Sequence, residues 1–276
     1  MQNGQLERVL ICTNGADIVA ADVCLDGIEV IVENVFGSEE CTMRELALIV
    51  MLALSAGAAT ATAAEPAPSA VPAIDPAWKV PEVLAFIGLK EGDKVADIVA
   101  GRLTAALAKA VGPAGTVYAV ETAEIVKAHP EILGKMQATA TQFPNIIISA
   151  DPVNSVLPSA LDAVFIRQNY HDLYDKVMGP ADVLAFNKAV FAALKPGGVY
   201  VVLDHVAAEG SGISATETLH RIDPARVKSD VLAAGFSFEA DSLVLANPGD
   251  DHTKMVFDPS VRGTTDQFLY RFRKPQ

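Results

Sequence analysis

The segment Asn169-Tyr170-His171-Asp172, with Asp175 shortly after it, sets an imidazole among carboxylates. An unperturbed imidazole titrates at about 6.5. His171 is therefore the side chain best suited to take a proton from a hydroxyl at neutral pH, and Asp172 or Asp175 can orient it. The plainer alternative is that these residues close a turn, since Asp172 or Asp175 also suits a helix N-cap. His205, in Leu203-Asp204-His205, follows a strongly apolar run and is either a second group at the same edge or a hydrogen-bonded surface histidine. His220 and Arg221 either line a pocket or cap a helix, and Arg262 either closes over a site or is an exposed structural residue. Asn247-Pro248-Gly249-Asp250-Asp251-His252 has the composition of a metal shell, but neighbouring polar loop residues are usually solvated, and no metal is expected there.

These residues need a frame, and the punctuation from Val80 onward supplies one. Apolar runs at Lys94–Val99, Thr116–Val120, Asn145–Ser149, Leu161–Ile166 and Val199–Leu203 read as strands. Helices are expected at Pro81–Ile87, Leu103–Val111, Ala123–Phe143 with a break at Pro130, Ala181–Leu194 and Pro224–Ala234. Near-continuous apolar strands alternating with helices imply an α/β fold whose parallel sheet is covered on both faces. The last two strands, Phe238–Ala246 and Gln267–Arg273, have no helix between them and suggest an antiparallel pair at one edge. Ligands of such sheets sit beyond the carboxyl ends of the strands. His171 and His205, each just beyond a strand, fall there.

With the elements in place, a family resemblance emerges. Asp97-Ile98-Val99-Ala100-Gly101 resembles motif I of the class I S-adenosylmethionine-dependent methyltransferases, and Leu194-Lys195-Pro196-Gly197-Gly198 resembles the turn before their fifth strand. Asn169-Tyr170-His171-Asp172, the stretch His220–Pro224, Asp258-Pro259 and the tail Arg271–Pro275 resemble a group of exported predicted methyltransferases. The match covers about residues 75 to 276. It implies a Rossmann-like seven-stranded sheet, mostly parallel with an antiparallel edge pair. S-adenosylmethionine is the implied cofactor, contacted by Asp97, Gly101, Glu121, Asp151 and Asn169. Glu121 would accept hydrogen bonds from the ribose hydroxyls, and Asn169 would hold the amino-acid end. His171, with Tyr170 and Asp172, would act on a small-molecule acceptor, Tyr170 by stacking on adenine or substrate. One departure stands out. The family pattern carries a second glycine two places after the first, then a Thr or Ser, whereas here Gly101 is followed by Arg102-Leu103-Thr104. The loop is shortened, and a bulky side chain stands where the backbone would approach the donor.

The bulk properties narrow the partners. A net charge of −13 over 276 residues offers no general attraction to nucleic acid. Residues 1–42 hold one base and eight acids, hence −7 of that charge, and all three cysteines precede residue 43. The remainder tolerates an oxidising compartment without mispaired thiols. Met43-Arg44-Glu45, the uncharged run Leu46–Ala64 and the exit Ala61-Thr62-Ala63 have the order of a secretory signal. Alternatives are a membrane anchor, the one route to a membrane partner, and a core helix. We expect translation from Met43, residues 1–42 as an extension with two strand-like runs (Val9–Ile11 and Ile28–Val32), 65–77 as a Pro/Ala linker, and 78–276 as the methyltransferase-like domain, exported and periplasmic. Two functions fit: a methyltransferase, or a non-catalytic binding protein that keeps the fold with a degenerate donor loop. A nicotinamide-dependent dehydrogenase would need a G-x-G-x-x-G after a strand, and none is present.

Overall fold

A computed structural model describes residues 6–13, 17–24, 29–34 and 75–276, save residue 156. The expected signal at 43–64 and nearly all of the 65–77 linker lie outside the described residues. The chain divides into two units, Met1–Glu65 and Pro66–Gln276. In the first, β1 (Leu6–Thr13), β2 (Asp17–Cys24) and β3 (Glu29–Asn34) pair in sequence as an antiparallel meander.

The second unit opens inside the expected linker, where Asp75 caps a 3₁₀ turn over Pro76–Trp78. Then follow α1 (Val80–Ile87), β4 (Lys94–Ile98), α2 (Thr104–Val111), β5 (Thr116–Thr122), α3 (Ala123–Ala128), α4 (Glu131–Gln142), β6 (Ile146–Asp151) and β7 (Leu161–Arg167). The chain continues through α5 (Val183–Ala193), β8 (Leu194–His205), α6 (Thr216–Leu219), α7 (Pro224–Ala233), β9 (Ser237–Ser242) and β10 (Gln267–Arg273).

Local chemistry sets several boundaries. Thr122 accepts the Ile125 N–H to start α3, and Pro130 separates α3 from α4. Asp182 and Asp223 cap α5 and α7 through the N–H groups of Ala185 and Ala225. Gly115 is forced by a close approach, because a Cβ there would lie 2.5 Å from Val111 Cβ and 2.7 Å from the Asp93 carbonyl oxygen. β8 begins five residues earlier than its apolar core suggests. The Lys195–Gly198 turn is drawn into it because Lys274 exchanges hydrogen bonds with Gly197 and Gly198.

The seven strands lie in the order β6-β5-β4-β7-β8-β10-β9. β10 runs antiparallel to both β8 and β9, and the other pairs are parallel. The expected architecture is the one observed. Residues alternate between two cores: Val95, Ala163 and Phe165 pack with α1 and α2 on one face, while Ala96, Val164 and Ile166 pack with α5 and α7 on the other. Each fully buried aliphatic or Phe side chain contributes about 1.5–3 kcal/mol. Strand order reverses between β4 and β7, the point at whose carboxyl edge ligands of such sheets sit.

Candidate functional site

Residues after both central strands adopt left-handed backbone: Val99 (φ 53°) beyond β4 and Gln168 (φ 57°) beyond β7. For β-branched Val99 this conformation is costly, and such strain concentrates at functional sites. Asp97, one residue from the end of β4, is buried. Its carboxylate accepts the Thr104 hydroxyl at 2.6 Å. Burial pushes Asp97 up to about 6, against the Thr104 hydrogen bond that favours the anion. Gly101 has no left-handed φ, and an added Cβ would meet nothing closer than the Val99 carbonyl oxygen at 3.9 Å. The fold therefore does not itself demand glycine there. Arg102 turns onto the Trp78 ring, its guanidinium carbon 4.9 Å from the centroid, and Arg167 lies 5.1 Å from the same ring. Burial and the Arg102 charge lower Arg167 to about 10.

Beside this loop, a cavity of about 280 Å³ runs along the ends of β5 and β6. Its wall is mainly apolar, from Ile98, Val120, Val153 and Phe186, with Glu121 and Asp151 as its acids. Glu121 is 1% exposed; one carboxylate oxygen accepts the Thr122 N–H at 2.8 Å, and the other is buried without a partner among the described residues. Burial pushes its carboxyl up to about 7, and the nearby Asp97 charge adds to this. Parallel pairing sets Thr122 opposite Asp151, so Asp151 ends beside Glu121. Asp97, Gly101 and Asn169 do not line this cavity.

A second polar group lies beyond β7 and β8. A 3₁₀ turn over His171–Tyr174 buries His171 against Asp204, whose carboxylate takes both the His171 N–H (2.9 Å) and Nδ1 (2.9 Å). Burial alone would lower His171. The charge of Asp204 and the hydrogen bonds of Asp172 and Asp204 outweigh it and raise the ring to about 10. By itself the ring is thus a cation at neutral pH, not the free base its residue type suggests. The partner that orients it is Asp204, rather than Asp172 or Asp175. The sequence signal for this was an Asp-His pair ending the most apolar strand. Burial pushes His205 down to about 4, and the neutral ring pairs with the Thr265 hydroxyl at 2.8 Å.

The remaining expectations sort cleanly. Tyr170 is wholly buried, and its hydroxyl accepts from Asn187 at 2.8 Å. It packs in the core, where no ligand can stack on it. The Asn169 amide donates to Asp172 at 2.8 Å and so belongs to the His171 group, away from the cavity. Arg221 is fully buried and binds Asp250 at 2.8 Å, pinning the loop after β9 to the sheet. His252 pairs with Asp266 at 3.0 Å. Asp250 and His252 are thus engaged in structural pairs.

No family model matches the chain, and no curated protein matches it in sequence. Solved structures do. The protein in complex with the Trm112 methyltransferase activator of Haloferax volcanii aligns with a TM-score of 0.50 and 15% identity, over 73% of this chain and 92% of that one. The chain has the methyltransferase fold. A SAM-dependent methyltransferase from Aquifex aeolicus aligns at TM-score 0.49 and 18% identity, over 71% of this chain and 89% of that one. A TehB-like SAM-dependent methyltransferase from Corynebacterium glutamicum aligns at 0.47 and 13%, over 84% and 97%. At 13–18% identity the likeness to these proteins shows the fold alone.

Proposed function

We propose that this chain binds S-adenosylmethionine in the β5–β6 cavity and transfers its methyl group to a small-molecule acceptor. The observation that carries the reading is Glu121. A buried carboxylate oxygen without a partner is costly, and this one lies on a cavity at the switch-point edge. Vicinal ribose hydroxyls would supply the missing donors. The apolar wall suits adenine, and Asp151 is placed for polar contact at its rim. When bound, the donor supplies an electrophilic methyl on a sulfonium. The chain's part is to align the acceptor with it and exclude water. Asp204 fixes the orientation of His171 and leaves its Nε2 facing the group that would receive the acceptor.

A second reading has an observation of its own. Arg102 lies on Trp78, and Gly101 is absent from the cavity wall, so the methionine end lacks the glycine cradle. A non-catalytic binding protein would keep the adenosine half and lose the methyl-donor half. Export through the 46–64 run, which would take the domain away from cytoplasmic S-adenosylmethionine, would favour it.

Calorimetric titration with S-adenosylmethionine, S-adenosylhomocysteine and adenosine separates the two. Micromolar binding of the first two that is lost in Glu121→Ala supports the methyltransferase. Binding of adenosine alone supports the retired donor site. Binding of none rejects both uses of the cavity.

A further inference from the structure

The group around His171 has donors that methyl transfer does not itself require. His171, Asp172, Asp175 and His220 each bring one ligand atom into a cluster whose atoms all lie within 4.8 Å of one another. From this geometry we propose a binding site for a divalent first-row transition ion, made by two imidazoles and two carboxylates.

The local fold explains why these four meet. The 3₁₀ turn after β7 stacks His171, Asp172 and Asp175 within little more than one turn. His220 ends α6 in left-handed backbone (φ 52°), which swings its ring across from His171. The two rings meet edge to face with centroids 5.4 Å apart. His171 Nε2 lies 3.3 Å from His220 Nδ1 and 3.2 Å from Asp172 Oδ1.

The surroundings are those of a ligand shell. Asp204 binds His171 Nδ1, which fixes the ring and directs Nε2 into the cluster; carboxylate–histidine pairs orient metal ligands in this way. Asn169 donates to one oxygen of Asp172 and leaves the other, Oδ1, facing the histidines. Asp175 is the independent pointer to a ligand. It is 3% exposed, and among the described residues neither of its oxygens has a hydrogen-bond partner. The Thr216 hydroxyl lies near enough to favour the Asp175 anion, but its hydrogen bond is to the Ile213 carbonyl. A buried carboxylate without hydrogen bonds is costly; the His171 charge offsets part of that cost, and an ion bound directly to its oxygens would offset more.

The chemistry narrows the ion. Imidazole nitrogen with carboxylate oxygen, and no thiolate, suits Zn²⁺, Mn²⁺ or Fe²⁺ better than all-oxygen Ca²⁺ or Mg²⁺. Ligands about 2.1 Å from a shared ion lie at most about 4.2 Å apart. With the widest pair trans the cluster closes by a few tenths of an ångström on each side, and around a tetrahedral ion that pair draws in by about 1.4 Å in all. His220, whose side chain is 31% exposed, provides the path from solvent. The site stands on its own donors and does not depend on the β5–β6 cavity. If both are right, the ion is the point at which an oxygen of the acceptor is held.

The test is calorimetric titration of the chelator-stripped full chain with Zn²⁺, alongside Asp175→Asn, His220→Ala and, as a control outside the cluster, His252→Ala. Circular dichroism checks that each variant folds. We expect one ion per chain, unchanged in His252→Ala. Affinity should fall at least about 100-fold in each cluster variant, since even outer partners of metal ligands are worth about 10–100-fold. X-ray absorption should show only nitrogen and oxygen ligands, with imidazole among them. No stoichiometric binding, or binding equal in wild type and both folded cluster variants, overturns the site. Parallel titration with S-adenosylmethionine keeps the two ideas apart. Zn²⁺ without donor binding sustains the ion site and sinks the methyltransferase, and donor binding without Zn²⁺ does the reverse.

Discussion

Replacing Glu121 with Gln should make the apo protein more stable and its donor site worse. The Glu121 carboxyl is raised from 4.5 to about 7, chiefly by burial, and each unit is about 1.4 kcal/mol. Holding it ionised in the folded state therefore costs on the order of 3 kcal/mol. The cost is absent below pH 4.5, grows as the pH rises toward 7 and is constant above, because the unfolded chain ionises first. The Gln side-chain oxygen can still accept the Thr122 N–H, which Glu121 now takes at 2.8 Å. Urea unfolding of both proteins at pH 5 and pH 8 should give a gap of up to about 3 kcal/mol at pH 8 that narrows to under about 1 kcal/mol at pH 5. Asp97, raised to about 6, titrates in the same window and repels the Glu121 charge, so the difference between the two proteins also contains the release of that repulsion. S-adenosylmethionine affinity should fall with the loss of charge-assisted hydrogen bonds, worth about 1.5–3 kcal/mol. A variant less stable than wild type at pH 8, or a gap that does not depend on pH, would refute the reasoning.

In wild type, donor affinity should rise between pH 6 and 8 as Glu121 ionises and level off above; calorimetry that finds it falling would contradict the ribose role. Arg102→Ala, which clears the shortened loop and forfeits a stacking contact on Trp78 of about 0.5–1 kcal/mol, should tighten donor binding if Arg102 crowds the methionine end, and leave it unchanged if the loop already compensates. Arg221→Leu strands a buried Asp250 and should cost about 3–5 kcal/mol, with faster amide exchange between residues 247 and 266. Phe165→Ala, in the central strand, should cost about 3–5 kcal/mol in urea unfolding.

Some of the site was plain from the chain alone. Asp97 lies within an apolar run, Glu121 ends one and His171 shortly follows one, and a parallel sheet carries such ends to one edge. Other assignments misled because residue type was read without burial. Tyr170 is polar enough to serve a ligand, yet its position after β7 turns it inward to Asn187 of α5. Asn169 falls beside Asp172 instead of the donor cavity because the turn at Gln168 is left-handed.

Hydrophobic period and turn residues determined the α/β class, the strand order's parallel character and the edge pair, since both depend on neighbours along the chain. The long-range pairings were left to tertiary structure. Asp204 meets His171 across 33 residues, His220 joins them from a further connection, and Asp175 loses its solvent only when α6 folds over the turn. Pairing a buried charge is decided by what packs against it in three dimensions, and no local pattern encodes that distance.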